Sequence, residues 1–437
     1  MVMWFINKRI DLLPHEKETL RRLLLCAVFT GIMQAVWVVI PELIRNTLQA
    51  EKVHVVFITL MWPMGQLIAT YWGAYLDGKA DKRVPLVLAG LFGRLPLAFG
   101  ALFDTVEPIL FFFIFSVITH PAVIASQHSL LQSNFREPIR GKAYSYIVSL
   151  TTLTSLVSAL CFGIWLDANP ENYRWIIMIA SLAGCLEAVL MARVKAKVAM
   201  DAVYRKMKKK KRALTTTLIK PWKELYQLFK EDRQFFRFEM SFMVYGMGFM
   251  IMQPFITLFL VNDLNLTYTQ ISLSKGTILQ ACVIFLVPYA GRVFDKKNPV
   301  LFGSFVFLAI SVFPAMMMIT GMLELENPEY MVYLSYFVLS IGWSGLILLW
   351  NLGSMFFADK HDVSRYTGAH VVMVGVRGTL AFIIGLLIVE HITSMTAFAF
   401  CLGCWILASL LMIRHWMKSY RTVDVEVTRE IAESHPQ

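Results

Sequence analysis

Twelve apolar runs, each long enough to cross a bilayer, govern what this chain can fold into. They fall at about 23–45, 53–76, 84–103, 107–133, 143–166, 173–193, 235–261, 268–292, 300–322, 328–356, 367–389 and 394–413. A helix spanning hydrocarbon needs about 20 such residues. Inside the bilayer the backbone must satisfy its own polar groups, as helices or as a closed barrel. Barrel strands alternate apolar and polar residues, whereas these runs are continuous and read as helices. The chain is 57% hydrophobic and only 16% charged, against roughly a quarter charged in soluble domains. There is too little polar surface to cover a water-soluble globule. The expected fold is an all-α membrane protein of twelve transmembrane helices, numbered here as spans 1 to 12.

Charge divides the loops into two sets. Of 41 Lys and Arg residues, all but six lie in or at the edges of segments on one side, the side that carries both termini. The six are Arg45, Lys52 and Arg174 near the opposite loops, and Arg94, Lys275 and Arg377 within spans. The opposite loops carry Asp104, Glu107, Asp263, Glu324, Glu326 and Glu329. Basic loops stay in the cytoplasm, so both termini are expected inside, in a cell (plasma or inner) membrane. Residues 1–22 are too polar for a cleavable signal. The spans form two sets of six, giving expected domains at 1–193 and 235–437 with a basic linker at 194–234. The run KMKKKKR (206–212) reads as a segment beside anionic lipid rather than a nucleic-acid site. After Pro221, Trp222, Leu225 and Phe229 share one helical face, as in a helix lying on the membrane surface.

The two sets echo each other. Between spans 2 and 3 the chain reads GAYLDGKADKRVP (73–85), and between spans 8 and 9 GRVFDKKNP (291–299). Gly73 and Asp77 keep the spacing of Gly291 and Asp295. Lys82 and Arg83 follow the first pair, Lys296 and Lys297 the second, and a proline follows both. FREPIRGKAY (135–144) after span 4 is matched in place by DKHDVSRYTGAH (359–370) after span 10. Pro41 in span 1 is matched by Pro254 in span 7. Repeated halves of this kind are the mark of a transporter built from two related bundles.

This layout resembles the major facilitator superfamily of secondary transporters. Gly73 and Asp77 match the first glycine and the aspartate of its loop 2–3 signature, with Lys82 and Arg83 near the terminal bases and Ala80 in place of the second glycine. IRGKA (139–143), with Arg140 and Gly141, resembles its Arg-Gly stretch between spans 4 and 5. The resemblance implies two pseudo-symmetric six-helix bundles. It also implies a gating role for Gly73, Asp77, Lys82, Arg83, Arg140, Gly141, Gly291, Asp295, Lys296 and Lys297. Glycine permits close approach of helix ends, and an aspartate at a helix end can pair with bases or a neighbouring helix N-terminus. These contacts would form a cytoplasmic latch. Span 4 carries His120 where many proton-coupled members carry arginine, and span 5 lacks the Gly-Pro motif of drug–proton antiporters.

Ionisable groups within a membrane are costly unless paired or facing water, and so mark function. His370 and Arg377 in span 11 are two turns apart on one face; His120 and Gln127 in span 4 share that spacing. In the resembled fold, spans 1, 4, 7 and 10 line the cavity with 2, 5, 8 and 11 beside them. The expected substrate cavity is therefore Gln34, Glu42, His120, Gln127, Gln253, Lys275, Trp350, Asn351, His370 and Arg377, ranked above Arg94 and Glu187. A competing account of Arg377 is a permanent ion pair with Glu42 or Glu187.

The cavity candidates are more basic than acidic, and arginine holds carboxylate or phosphate bidentately. An anionic or polar organic solute is mildly favoured, with a proton or sodium as the candidate coupling ion. The six cysteines all lie in apolar runs; Cys401 and Cys404 form a CxxC without a second ligand pair, so packing rather than metal is expected. No phosphate-binding P-loop, HExxH or nucleophile constellation occurs. The expected protein is a monomeric secondary transporter in a lipid bilayer, without cofactor, metal site, catalytic residues or nucleic-acid partner. An exporter of amphipathic compounds and a non-transporting membrane sensor or scaffold are the alternatives.

Overall fold

A computed structural model describes residues 11–77, 83–194, 214–358 and 363–420. Lys82, most of the linker with its basic run, and the last 17 residues lie outside the described set. Among the described residues there are twelve helices long and apolar enough to cross a membrane. They are Pro14–Asn46, Lys52–Ala69 (its helix continuing to Asp77), Arg83–Gly100, Val106–Asn134, Ile139–Ala168, Pro170–Ala192, Arg233–Asp263, Tyr268–Lys296, Pro299–Met322, Pro328–Phe357, Arg365–Ile388 and Ser394–Ser419. Each coincides with one apolar run, so the span numbering carries over.

Local chemistry sets the ends. Span 1 begins with Pro14, whose missing N–H costs nothing in a first turn. Asp232 caps span 7 by accepting from the N–H groups of Gln234 and Phe235, each at 2.9 Å. Thr267 and Gln270 cap span 8 reciprocally, and Asn298 followed by Pro299 starts span 9. Three spans contain π-helical turns. Span 3 contains a π-helical turn at Ala89–Arg94, with Leu95 N–H donating to the Gly90 carbonyl. Span 7 ends in a π-helical stretch at Phe259–Asp263, and span 8 has another at Ser272–Ile278.

The chain forms two compact units: Met1–Leu218 with Leu260–Thr277, and Ile219–Phe259 with Ile278–Gln437. The short segment spanning the turn between spans 7 and 8 thus packs within the first unit. That unit's apolar core runs through spans 1 to 6 and takes in Tyr268. In the second unit, Phe238, Phe242, Tyr245, Phe307 and Trp405 are fully or almost fully buried. Large apolar side chains such as Phe92, Phe285, Phe305 and Leu387 are exposed, as expected where the solvent is hydrocarbon.

The linker helix, Leu214–Glu231, differs in detail from its sequence reading. Leu225 and Leu228 are buried, Phe229 packs against Phe235 and Phe236, and Trp222 and Tyr226 are exposed. The buried stripe therefore runs through Leu225, Leu228 and Phe229, with Trp222 at its rim. Asp232 explains the shift, because its cap starts span 7 one residue after the linker helix ends and folds Phe229 onto that helix.

Candidate functional site

Three groups of intramembrane ionisable residues sit in the two units, two in the first and one in the second. In the first unit, the π-helical turn of span 3 carries Arg94 inward. Its guanidinium forms an ion pair with Glu187 of span 6, both almost completely buried. Nη1 also donates to the Gly184 carbonyl at 3.2 Å, and Nη2 lies 3.2 Å from His120 Nδ1. A guanidinium has no acceptor atom, so His120 Nδ1 accepts, and the neutral ring carries its proton on Nε2. Gly184 makes this possible: a Cβ there would lie 3.0 Å from Arg94 Cδ. The His120 ring packs against Trp37 and Trp62, with centroids 4.8 and 4.3 Å away. His120 thus joins residues of spans 1, 2, 3 and 6 in one group, which ties the lower-ranked Arg94 and Glu187 to a leading cavity candidate.

Also in the first unit, Lys275 Nζ lies 2.5 Å from Glu42 Oε1. Glu42 is buried and Lys275 is 18% exposed. The pairing accounts for a carboxylate just after Pro41 in an otherwise apolar stretch.

In the second unit, spans 7 and 11 meet in two rungs a heptad apart. His370 Nδ1 and Glu239 Oε1 are 2.7 Å apart. Seven residues on along both helices, Arg377 lies over Gly246, where a Cβ would fall 2.5 Å from Arg377 Cδ. Arg377 Nη1 donates to the Phe242 carbonyl at 2.8 Å, with the guanidinium 5.7 Å from that ring's centroid. Arg377 is 1% exposed. Its Nε and Nη2, together with Glu239 Oε2, His370 Nε2 and the Tyr245 hydroxyl, are buried without hydrogen-bond partners among the described residues.

The competing account of Arg377, a permanent pair with Glu42 or Glu187, does not hold in this structure. Those carboxylates are taken by Lys275 and Arg94. The carboxylate in Arg377's own neighbourhood is Glu239, and it bonds His370. His370 and Arg377 do share a face, as their spacing requires. The other cavity candidates are more dispersed: Gln34, Gln127, Gln253 and Trp350 are half-buried, and Asn351 is exposed. Asn351 Nδ2 donates at 2.7 Å to the Ile347 carbonyl of its own helix, so that amide is spent on the last turn of span 10.

Of the latch residues, Lys82 lies outside the described set, as do the surroundings of Gly73 and the side chain of Asp77, though the span 2 helix ends at Asp77. Arg83, Gly141, Asp295, Lys296 and Lys297 are exposed. Arg140 Nη2 donates to the Gln132 carbonyl at 3.3 Å. A Cβ at Gly141 would meet nothing within 4 Å, and one at Gly291 would touch only Leu348 Cδ1 at 4.0 Å. On the same face, Glu16 is fully buried and accepts four hydrogen bonds: from Leu13 N, and from Arg136 N, Nε and Nη2. Those bonds push the Arg136 guanidinium pKa above its ordinary value. No group of three or more metal-ligating side chains occurs among the described residues.

Sequence reasoning passed over Glu239, Asp167, Trp37 and Trp62. Glu239 carried a usable signal, an acid inside the apolar run FEMSFMVYG. Asp167 looked like an ordinary helix-end residue, and tryptophans in an apolar run are indistinguishable from packing.

The chain matches the family model described as Major Facilitator Superfamily over residues 23–382. No curated protein sequence matches it. Among solved structures, the nucleoside transporter NupG superposes with a TM-score of 0.72 at 11% identity, covering 92% of this chain and all of that one. A POT family transporter in complex with 5-aminolevulinic acid gives 0.70 at 12% identity, covering 92% and 96%. A peptide transporter POT in complex with sulfate gives 0.65 at 12% identity, covering 92% and 94%. At this identity the likeness is one of fold.

Proposed function

We propose, from the premise that the chain belongs to the major facilitator superfamily, that it carries a small organic solute with an anionic or polar group across a membrane by alternating access. Two six-helix bundles, 1–193 and 235–437, would rock about a central site, with 194–234 and both termini on the cytoplasmic side and the Gly73/Asp77 and Gly291/Asp295 loops as latches. The observation that carries the anionic preference is Arg377. It is the one intramembrane cation among Arg94, Lys275 and Arg377 that makes no ion pair within the described residues. Its Nε and Nη2 are left without partners there. A buried donor left unpaired costs about 1–3 kcal/mol, more when charged. An arrangement that gives those N–H groups a carboxylate or phosphate oxygen is therefore favoured, and a guanidinium offers two parallel bonds to such a group. The solved POT complexes with 5-aminolevulinic acid and with sulfate are of the same fold, and both ligands carry an anionic group.

The test is thermal stabilisation of the purified protein by a panel of nucleosides, dipeptides, carboxylates and phosphates. Hits are then measured on Arg377→Lys and Arg377→Gln. Cargo contact at Arg377 predicts that both variants fold and lose at least tenfold in affinity, the loss being greatest for ligands with a carboxylate or phosphate. Normal binding of anionic ligands by both variants, or no stabilisation of the wild type by any anion, would remove the anionic preference.

A further inference from the structure

Three aromatic rings of the first unit meet at His120. Trp37 of span 1 and Trp62 of span 2 have centroids 4.3 Å apart. The His120 ring of span 4 lies 4.8 Å from the first and 4.3 Å from the second. The interplanar angles are 52°, 69° and 59°, so no ring is stacked flat on another. His120 is buried, but both indoles are only half-buried, and part of each stays open beside it. Packing explains why the rings touch. It does not explain their polar atoms.

Each ring keeps one nitrogen out of the hydrogen bonding among the described residues. Trp37 Nε1 is buried without a partner. Trp62 makes only ring contacts there, and the one hydrogen bond of His120 is that from Arg94 to Nδ1. Buried tryptophan N–H groups ordinarily find a partner, and a buried donor without one is costly. Three such groups on adjoining rings mark a place where a ligand supplies the acceptors.

The chemistry of the three nitrogens is fixed. An indole N–H donates and never accepts. The bond made at one imidazole nitrogen decides the state of the other. Because Arg94 donates to His120 Nδ1, Nε2 carries the proton and is a donor too. Glu187 holds Arg94 and cancels its charge. The complementary group is therefore flat, since aromatic faces and edges pack well on a ring. It is rich in acceptors, because the unspent groups of these rings are donors alone. It is uncharged, because the nearby guanidinium is already neutralised.

We propose that Trp37, Trp62 and His120 form a recognition site for a flat, uncharged, carbonyl-bearing ring of the cargo. Arg94 is a positioning residue in this account, keeping His120 Nε2 a donor without touching the ring. The inference rests on the transporter reading and deepens it by naming the polar part of the solute. Such a site rejects a ring without acceptors, because its own N–H groups then stay unpaired.

Saturation-transfer NMR titration of the full-length protein in detergent tests this without transport. The probes are uracil and hypoxanthine, with dihydrouracil and pyrrole as controls. Dihydrouracil keeps both carbonyls on a puckered ring, and pyrrole is flat but offers only a donor. The better probe should bind at least tenfold more tightly than either control. Trp37→Phe/Trp62→Phe keeps two rings, removes both indole N–H groups and should weaken that probe at least tenfold. His120→Gln can still accept from Arg94 and donate onward, and should stay within about threefold of wild type, whereas His120→Leu should lose at least tenfold. Nitrogen NMR should show His120, assigned by its loss in His120→Gln, bare at Nδ1 and protonated at Nε2, which packing alone does not require. Failure of both probes to bind, unchanged binding in the double tryptophan variant, equal losses in the two His120 variants or the opposite tautomer overturns the site. If His120→Leu does not fold, the double tryptophan variant and the tautomer decide. Stabilisation by carboxylates or phosphates through Arg377 would survive such a failure, so this site and the transporter reading fall separately.

Discussion

Arg94 and Glu187 allow the sharpest test of how this bundle tolerates charge. The side chains are 1% and 2% exposed, so neither keeps solvation of its own. Removing one partner of such a pair leaves the other charge buried and costs about 3–5 kcal/mol, whereas replacing both with apolar residues of similar volume is often neutral or stabilising. Arg94→Met takes away the ion-pair partner of Glu187 and the donor to His120 Nδ1. Glu187→Leu leaves Arg94 with the Gly184 carbonyl and His120, while its Nε already lacks a partner among the described residues. Each single variant should therefore lose about 3–5 kcal/mol, a drop of roughly 100-fold or more in the folded-to-unfolded ratio. Arg94→Met/Glu187→Leu should recover more than half of the loss in either single variant. The assay is reversible unfolding in mixed micelles, followed by tryptophan fluorescence, with the four proteins arranged as a double-mutant cycle. A double variant as unstable as the sum of the singles, or singles within about 0.5 kcal/mol of wild type, would refute the claim that mutual neutralisation holds these residues in place.

Two further outcomes follow from the same structure. Glu16→Ala removes the acceptor of four hydrogen bonds at the foot of span 1; Arg136 is 43% exposed and can rehydrate, so the loss should stay below the buried-pair range, at about 1–3 kcal/mol, read by thermal unfolding. For topology, cysteines placed at Lys209 and Glu326 should differ in intact cells, with only the second reached by an impermeant maleimide; labelling of both, or the reverse, overturns the inside assignment of the basic loops.

The twelve spans were legible because bilayer thickness imposes one length and lipid imposes one composition. The starts of spans 7, 8 and 9 lie within two residues of their apolar runs, beside the caps Asp232, Thr267 and Asn298, whereas span 1 begins at Pro14, nine residues before its run, because the first turns of that helix are polar. Partner choice was not legible. Arg377 and His370 could be placed on one face from spacing alone, since seven residues are two turns of any helix. Their partners depended on the register between spans 7 and 11, which no periodicity within either span encodes. Hence Glu239, not Glu42 or Glu187, is the nearby carboxylate, and Gly246 is the residue that makes room for the guanidinium.

The seam between span 5 and the start of span 8 shows the same limit from the other side. Read singly, Ala159, Gly163, Ser272 and Gly276 are small residues of the kind found throughout membrane helices, and Asp167 is a polar residue at a helix end. Each has a sufficient local explanation. Only antiparallel packing sets Ala159 against Gly276 and Gly163 against Ser272, and that register delivers Asp167 to two unpaired N–H groups at the start of span 8. A one-residue slide would turn the small residues away and leave the carboxylate about 1.5 Å out of place along the axis, far enough to break one of its two 2.8 Å bonds. The small-residue packing and the carboxylate contact therefore specify the same register independently.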